Sequence, residues 1–282
     1  MAVISLAFDP LLHIGDLTVR LQTVALAAIL LASLLVLARI GLVTPVAGPY
    51  VPAPTLRPGD LPFLVLGAVP GAVLGGRLDY VLVHLDFYLA HPVAILDPAQ
   101  GALGLGLAVP GAILGATLIG RLIEAPMDRW FHAAALPAIF ALGAGKFSGL
   151  LSAEGQGQPS DVPWATAYLG DGPWSSLAAY LPSHPSQSYE ALLMVGVILL
   201  LGLALRAGAF ARRDGSALFV AVVLWALARM IAASTWRDAP VLGPLRAEQL
   251  VLVLVVLMGA LAVVRIRGSA GSRAVVRSRT MT

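Results

Sequence analysis

No cysteine occurs in this 282-residue sequence. That excludes disulfides, thiolate metal ligands and a thiol nucleophile from the chain, and it leaves the redox compartment open. Charge is scarce as well. Asp, Glu, Lys and Arg make up 12% of the residues, about half the share of an ordinary soluble domain. Lysine is almost absent: Lys146 is the only one, and the other basic residues are 17 arginines. The five histidines form no HExxH pattern, so no metal site is expected. There is no P-loop, no glycine fingerprint for a dinucleotide and no G-x-S-x-G elbow. No cofactor is expected.

What is present is apolar surface. Hydrophobic residues make up 59% of the chain, and the mean hydropathy is +0.88. Runs of roughly 17–20 apolar residues can cross a bilayer core of about 30 Å. Seven such segments are legible, at about 21–38, 61–76, 101–120, 130–151, 191–205, 217–233 and 247–264. The second holds Pro70, which a membrane helix tolerates when neighbours satisfy the freed carbonyl. The first has too long an apolar core, and no basic region before it, for a cleavable signal peptide. The expectation is an all-α polytopic membrane protein, with one seven-helix domain over 1–264 and a basic tail over 265–282. Twelve arginines fall in one set of loops and the tail, and four in the other set. Positive charge stays inside. The N-terminus is therefore expected outside and the C-terminus in the cytoplasm. The basic pI of 9.6 then reflects arginines facing anionic lipid, and no nucleic-acid partner is needed.

An ionisable group at membrane depth marks a functional site by default. Lys146 lies within segment four and Arg229 within segment six, each in the expected outer half. Both need anionic partners or a polar cavity, and one shared anion would serve the two. Other polar groups gather at the same level: Arg77, Asp79 and Tyr80 after segment two, Gln100 before segment three, Glu154 after segment four, His184 and Glu190 before segment five, and Arg237, Glu248 and Gln249 between segments six and seven. For Arg77, Arg237 and Glu248 the alternative is a snorkelling anchor or loop charge. The longest outer loop, 152–188, has no Lys or Arg and is rich in Gly, Pro, Ser and Asp. It is expected to be irregular, and loops of this length are often functional.

The stretch GKFSGLLSAEGQGQPSDVPW at 145–164 and HPSQSYE at 184–190 resemble the signatures of the bacterial prolipoprotein diacylglyceryl transferases, G-R-x-G-N-F-x-N-G-E-x-x-G-R-P-T-D-x-P-W and H-P-[ST]-Q-x-Y-E. Gly145, Glu154, Gly157, Pro159, Asp161, Pro163 and Trp164 match, and Lys146 stands where the family has arginine. FDP at 8–10, GGRLDYV at 75–81, Arg229 and Gln249 extend the resemblance over most of the chain. It implies transfer of a diacylglyceryl group from phosphatidylglycerol to the thiol of a prolipoprotein lipobox cysteine, in the bacterial cytoplasmic (inner) membrane. A thioether forms and glycerol phosphate leaves.

On that resemblance Lys146, Glu154 and Arg229 are the expected catalytic residues. The two cations face the developing phosphate charge, and Glu154 positions a reacting group or acts as a base. Arg77, Tyr80, Gln100, Gly157, His184, Arg237 and Gln249 are expected to bind substrate. His184 is either a base or part of a helix start in which Ser186 is the cap and Glu190 lies in the first turns. The chain also departs from the pattern. Gln100 replaces a family histidine, Gly149 an asparagine, Gln158 an arginine and Ala233 a glutamate. Two other readings stand beside the transferase: a noncatalytic or altered-substrate lipid-binding relative, which these changes favour, and an anion transporter. A transporter should carry polar residues through both leaflets and often an internal repeat; neither is detectable.

Overall fold

A computed structural model describes residues 3–44, 56–97 and 99–279, with side chains as far as Gly268. Residues 280–282 of the expected tail lie outside the described residues. Among the described residues seven helices are long and apolar enough to cross a membrane: α1 (Leu21–Val43), α2 (Leu61–Val83), α4 (Leu105–Leu122), α5 (Met127–Ser148), α6 (Ser186–Arg206), α7 (Ser216–Ala233) and α8 (Ala247–Arg279). A short helix, α3 (Leu85–Ala90), follows α2. The chain is a polytopic, mostly helical membrane protein.

Several boundaries differ from those read off hydropathy. α2 continues to Val83, so Arg77, Asp79 and Tyr80 sit in its last two turns and not beyond its end. α6 begins at Ser186 and not near 191. Both extensions add polar residues that hydropathy rejects and that tertiary partners satisfy. α8 passes residue 264 without a break. The fold is also not purely helical. β1 (Ile4–Ala7) pairs in parallel with β4 (Thr166–Leu169), and β2 (Leu11–Ile14) forms a hairpin with β3 (Leu17–Arg20). β5 (Pro240–Leu242) pairs with β6 (Leu245–Arg246). The long loop is therefore partly ordered as strand. Its backbone N–H and C=O groups need partners, and the N-terminal ISLA segment supplies a ladder from Ile4–Thr166 to Ala7–Leu169.

α2 and α4 pack as a glycine seam. A Cβ built on Gly67, Gly71 or Gly75 would lie 2.2–2.4 Å from the carbonyl oxygens of Gly115, Gly111 and Leu107. Small residues at four-residue spacing let two membrane helices approach to backbone contact. α7 forms the centre of the bundle. Ala217, Ala221, Trp225, Ala226 and Ala233 on it are fully buried, and it packs against α5, α6 and α8. Any polar side chain on α7 is consequently desolvated, and Arg229 is such a side chain.

Candidate functional site

Arg229 is 4% exposed, and the chain itself surrounds it with anions. Its Nη1 donates to both carboxylate oxygens of Glu190, at 2.9 and 3.0 Å. Its Nε donates to Glu248 Oε1 at 3.0 Å, and Nη2 lies 2.9 Å from the same atom. The Trp236 ring covers the guanidinium at 4.7 Å. Glu190, from the first turns of α6, and Glu248, from the first turn of α8, are buried too. One arginine thus joins three helices through two desolvated carboxylates. Such a triad holds only if every charge keeps its partners.

A third carboxylate stands beside it. Asp79 is 0% exposed, and its carboxylate is turned to the backbone N–H groups of Gly106 and Leu107 in the first turn of α4. It faces the start of α4, where a Cβ on Gly104 would meet its Oδ2 at 2.3 Å. Its charge is felt from Glu248 and Arg229. Asp79, Glu190 and Glu248 therefore outnumber Arg229, and the surplus negative charge favours a second cation nearby.

Lys146 is that cation. It lies in the last turn of α5, half-buried, within the field of Arg229, Glu190, Glu154 and Glu248. Among the described residues no side chain hydrogen-bonds or ion-pairs with it. Glu154 comes from the tight loop after α5. Ala153 there adopts φ +62° while fully buried, a left-handed conformation that costs a non-glycine residue energy and marks a constrained turn. The Glu154 N–H donates to Gly149 O at 3.1 Å. Its carboxylate accepts from Gln22 Nε2 on α1, and Gln22 in turn accepts from Ser152 Oγ at 2.5 Å. The Glu154 side chain remains exposed. Lys146, Glu154 and Arg229 therefore converge at one end of the bundle.

The other expected residues divide into a pocket and a frame. A cavity of about 320 Å³ is lined by Tyr80, His84, Gly104, Trp236, Asp238 and Glu248, among others. It reaches Arg229 through Glu248 and Trp236. Tyr80 stacks on His84 at 4.1 Å. Arg77 instead donates to the carbonyls of Ala94, Ile95, Asp97 and Gln100 and so pins the loop before α4. Gln100 enters this frame through its backbone carbonyl, which also accepts from Tyr88 Oη at 2.8 Å, while its side chain is exposed.

Arg237 clamps the signature loop. It donates to Gly157 O at 2.7 Å, Gln156 Oε1 at 3.1 Å and Ser183 Oγ at 3.1 Å. Gly157 is required by close approach, since a Cβ there would sit 2.2 Å from Ser186 Oγ. His184 Nδ1 meets Tyr189 Oη at 3.1 Å, and Trp164 Nε1 donates to the same hydroxyl at 2.6 Å. Gln249 bridges Arg246 N and Met230 O. Ser186 does not cap α6, which has no side-chain cap; its hydroxyl bonds Thr235 Oγ1 at 2.6 Å. Glu190 likewise turns inward to Arg229 and closes no capping box. Gln22, the full burial of Asp79 beside the triad and the pairing roles of Glu190 and Glu248 escaped the sequence reading. Gln22, polar and just inside an apolar run, was the one visible hint. Among the described residues no three His, Asp or Glu side chains group as metal ligands.

Residues 10–265 match the family model described as Prolipoprotein diacylglyceryl transferase. Three similar proteins are each named phosphatidylglycerol–prolipoprotein diacylglyceryl transferase. The one from Nitrobacter hamburgensis is 33% identical over 221 residues, covering 75% of this chain and 72% of the relative. That from Rhodopseudomonas palustris is 31% identical over 183 residues, covering 64% and 61%. That from Methylocella silvestris is 32% identical over 187 residues, covering 66% of each. The aligned part thus spans between about three fifths and three quarters of these relatives.

Proposed function

Because the chain belongs to the prolipoprotein diacylglyceryl transferase family, we propose that it transfers the diacylglyceryl group of phosphatidylglycerol to the lipobox cysteine thiol of a prolipoprotein. The observation that carries this reading is Lys146: a cation whose side chain has no hydrogen-bonded partner among the described residues, at the polar end of an apolar bundle, beside a triad that fixes Arg229. The thiol sulfur attacks the glyceryl carbon, the C–O bond to phosphate breaks and glycerol phosphate leaves. Lys146 meets the charge that develops on that phosphate, as a point charge on a flexible stem. Arg229 orients Glu190 and Glu248 and stands behind Glu248 and Trp236, which wall the cavity beside Tyr80 that takes the lipid head group. Glu154, held by Gln22 yet open to solvent, accepts the thiol proton. Arg77, Gly157, His184, Arg237 and Gln249 shape the loops that present these groups, and Gln100 does so through its carbonyl.

The arginine distribution supports a chain with its N-terminus and the 152–188 loop outside, its C-terminus and the basic residues of 265–282 in the cytoplasm, and the site facing the outer leaflet of the bacterial inner membrane. The test is thioether formation, read by mass spectrometry, with purified protein, phosphatidylglycerol vesicles and a synthetic lipobox peptide. Release of glycerol phosphate in equal amount is expected. Lipid binding without transfer across pH 6 to 9 would overturn the reading and leave a lipid-binding relative.

A further inference from the structure

The strand β1 is the outer edge of its sheet. On β4 the N–H groups of Thr166 and Tyr168 donate to the carbonyls of Ser183 and Ala179, both at 2.9 Å. Successive residues of a strand turn their backbone groups to opposite sides. Ala167 and Leu169 therefore face β1, in the register that sets Ser5 beside Ala167 and Ala7 beside Leu169. On β1 the same alternation turns Ile4 inward, where its N–H donates to Ala165 O at 2.9 Å, and Leu6 with it. The N–H and C=O groups of Ser5 and Ala7 point the other way. Both residues are exposed, and among the described residues no further strand pairs with that edge.

The edge is tied at two points to the turn that carries Glu154. Leu6 and Phe8 pack on the cluster of Ala153, Tyr168 and Ala179, and Ala153 immediately precedes Glu154. Beyond β1, Pro10 O accepts from Leu21 N–H at 2.9 Å, and the next residue, Gln22, holds the Glu154 carboxylate. A free strand edge is a template for another extended chain, and proteins guard the edges they leave open with charge, proline or a bulge. The segment ISLA has no charge and no proline, and its register runs without a bulge. Lipid does not cover it, because unpaired N–H and C=O groups do not lie against hydrocarbon. Exposed carboxylates stand beyond the ends of both strands, Asp9 after β1 and Asp171 after β4, and the 152–188 loop has no Lys or Arg. That field repels an acidic chain and accepts a neutral or basic one.

We propose that the free edge of β1 docks the extended segment of the acceptor polypeptide around its cysteine, adding it to the sheet as a further strand. The identity of the partner rests on the transferase reading. Backbone bonds to Ser5 and Ala7 hold the segment whatever its side chains, and the thiol is presented toward Glu154. The test uses the purified full-length protein, phosphatidylglycerol vesicles and synthetic lipobox peptides, each N-methylated at one backbone nitrogen. An added strand faces the edge with every second residue. KM should therefore rise roughly tenfold at alternate positions, the scale of one hydrogen bond left unmade, and little at those between, with kcat steady. Equal sensitivity at all positions, or none, would overturn the proposal. On the enzyme, Ala7→Pro removes an outward N–H and should raise KM with the thermal midpoint near wild type. Leu6→Pro breaks the β1–β4 ladder and should lower the midpoint. Where Ala7→Pro disturbs folding, the peptide series decides. If no peptide is lipidated the transferase reading fails, and fluorescence anisotropy of the same peptides, carrying a dye, still reads the alternation or its absence. A dimer that peptide does not displace and Ala7→Pro dissolves would assign the edge to a second copy of this chain and overturn the acceptor.

Discussion

Arg229 and Lys146 looked alike in the sequence, two cations within apolar runs, yet their surroundings set them apart. Arg229 is saturated by Glu190 and Glu248, so its removal strands two buried carboxylates. Breaking such a group by deleting one member costs about 3–5 kcal/mol. Arg229→Ala should therefore lower the thermal midpoint in detergent sharply as well as stop transfer. Adding Glu190→Gln and Glu248→Gln should restore part of the midpoint without restoring activity. An unchanged midpoint in Arg229→Ala would show the triad to be dispensable for the fold. Lys146 has no such partner, and Lys146→Ala should leave the midpoint near wild type while reducing turnover about 10²-fold or more, the scale of one lost transition-state donor. Lys146→Arg keeps the charge and should retain more activity than Lys146→Ala in steady-state assays. Equal inactivity of the two would replace the point-charge role with a geometric one.

At the scale of elements, seven helices were legible because uninterrupted apolar runs leave the backbone no solution in lipid but a helix. The helix ends were not, because Arg77 to Tyr80 and Ser186 to Glu190 read as loop by hydropathy while partners from distant segments bury or bind them. The β1–β4 pairing was hidden for the same reason: its two halves lie some 160 residues apart, and no local pattern encodes the match. Lys146, Glu154 and Arg229 could be named from their types and positions, whereas Gln22, Asp79 and the roles of Glu190 and Glu248 depend on which helices meet. The α2–α4 seam is testable directly. Gly71→Leu places a side chain where even a Cβ lies 2.2 Å from Gly111 O. Separating the helices should cost at least 1–3 kcal/mol, typical of overpacking, visible as a lower midpoint; an unchanged midpoint would mean that the seam does not hold the two helices. β4 offers a pH test. Burial pushes the Tyr168 hydroxyl up to about 12, only partly offset by the hydrogen bond from Gln187. The folded state then keeps the phenol proton where the unfolded chain, near 10, has lost it. That stability is present below pH 10 and is lost as pH rises toward 12, up to about 2–3 kcal/mol. Tyr168→Phe should flatten this alkaline decline in denaturation midpoints; a decline unchanged in the variant would assign it to other groups.

For the whole molecule the open quantity is orientation, which arginine counts argue and helix packing alone does not encode. The bundle carries cations at both ends: Lys146 and Arg229 stand among carboxylates at one, and Arg129 and Arg213 lie at the other. Under the positive-inside rule the second end is expected to face the cytoplasm. The absence of cysteine makes this directly measurable, since any thiol introduced is the only one in the chain. Asp171 in the long loop and Ala211 between α6 and α7 are both exposed and lie at opposite ends of the bundle. Asp171→Cys should react with a membrane-impermeant maleimide in intact spheroplasts, and Ala211→Cys only after lysis. The reverse pattern would put the Lys146 site at the cytoplasmic face, away from an exported thiol, and would sink the proposed acceptor along with the orientation. Labelling of both positions before lysis would indicate mixed insertion, which twelve arginines against four are expected to prevent.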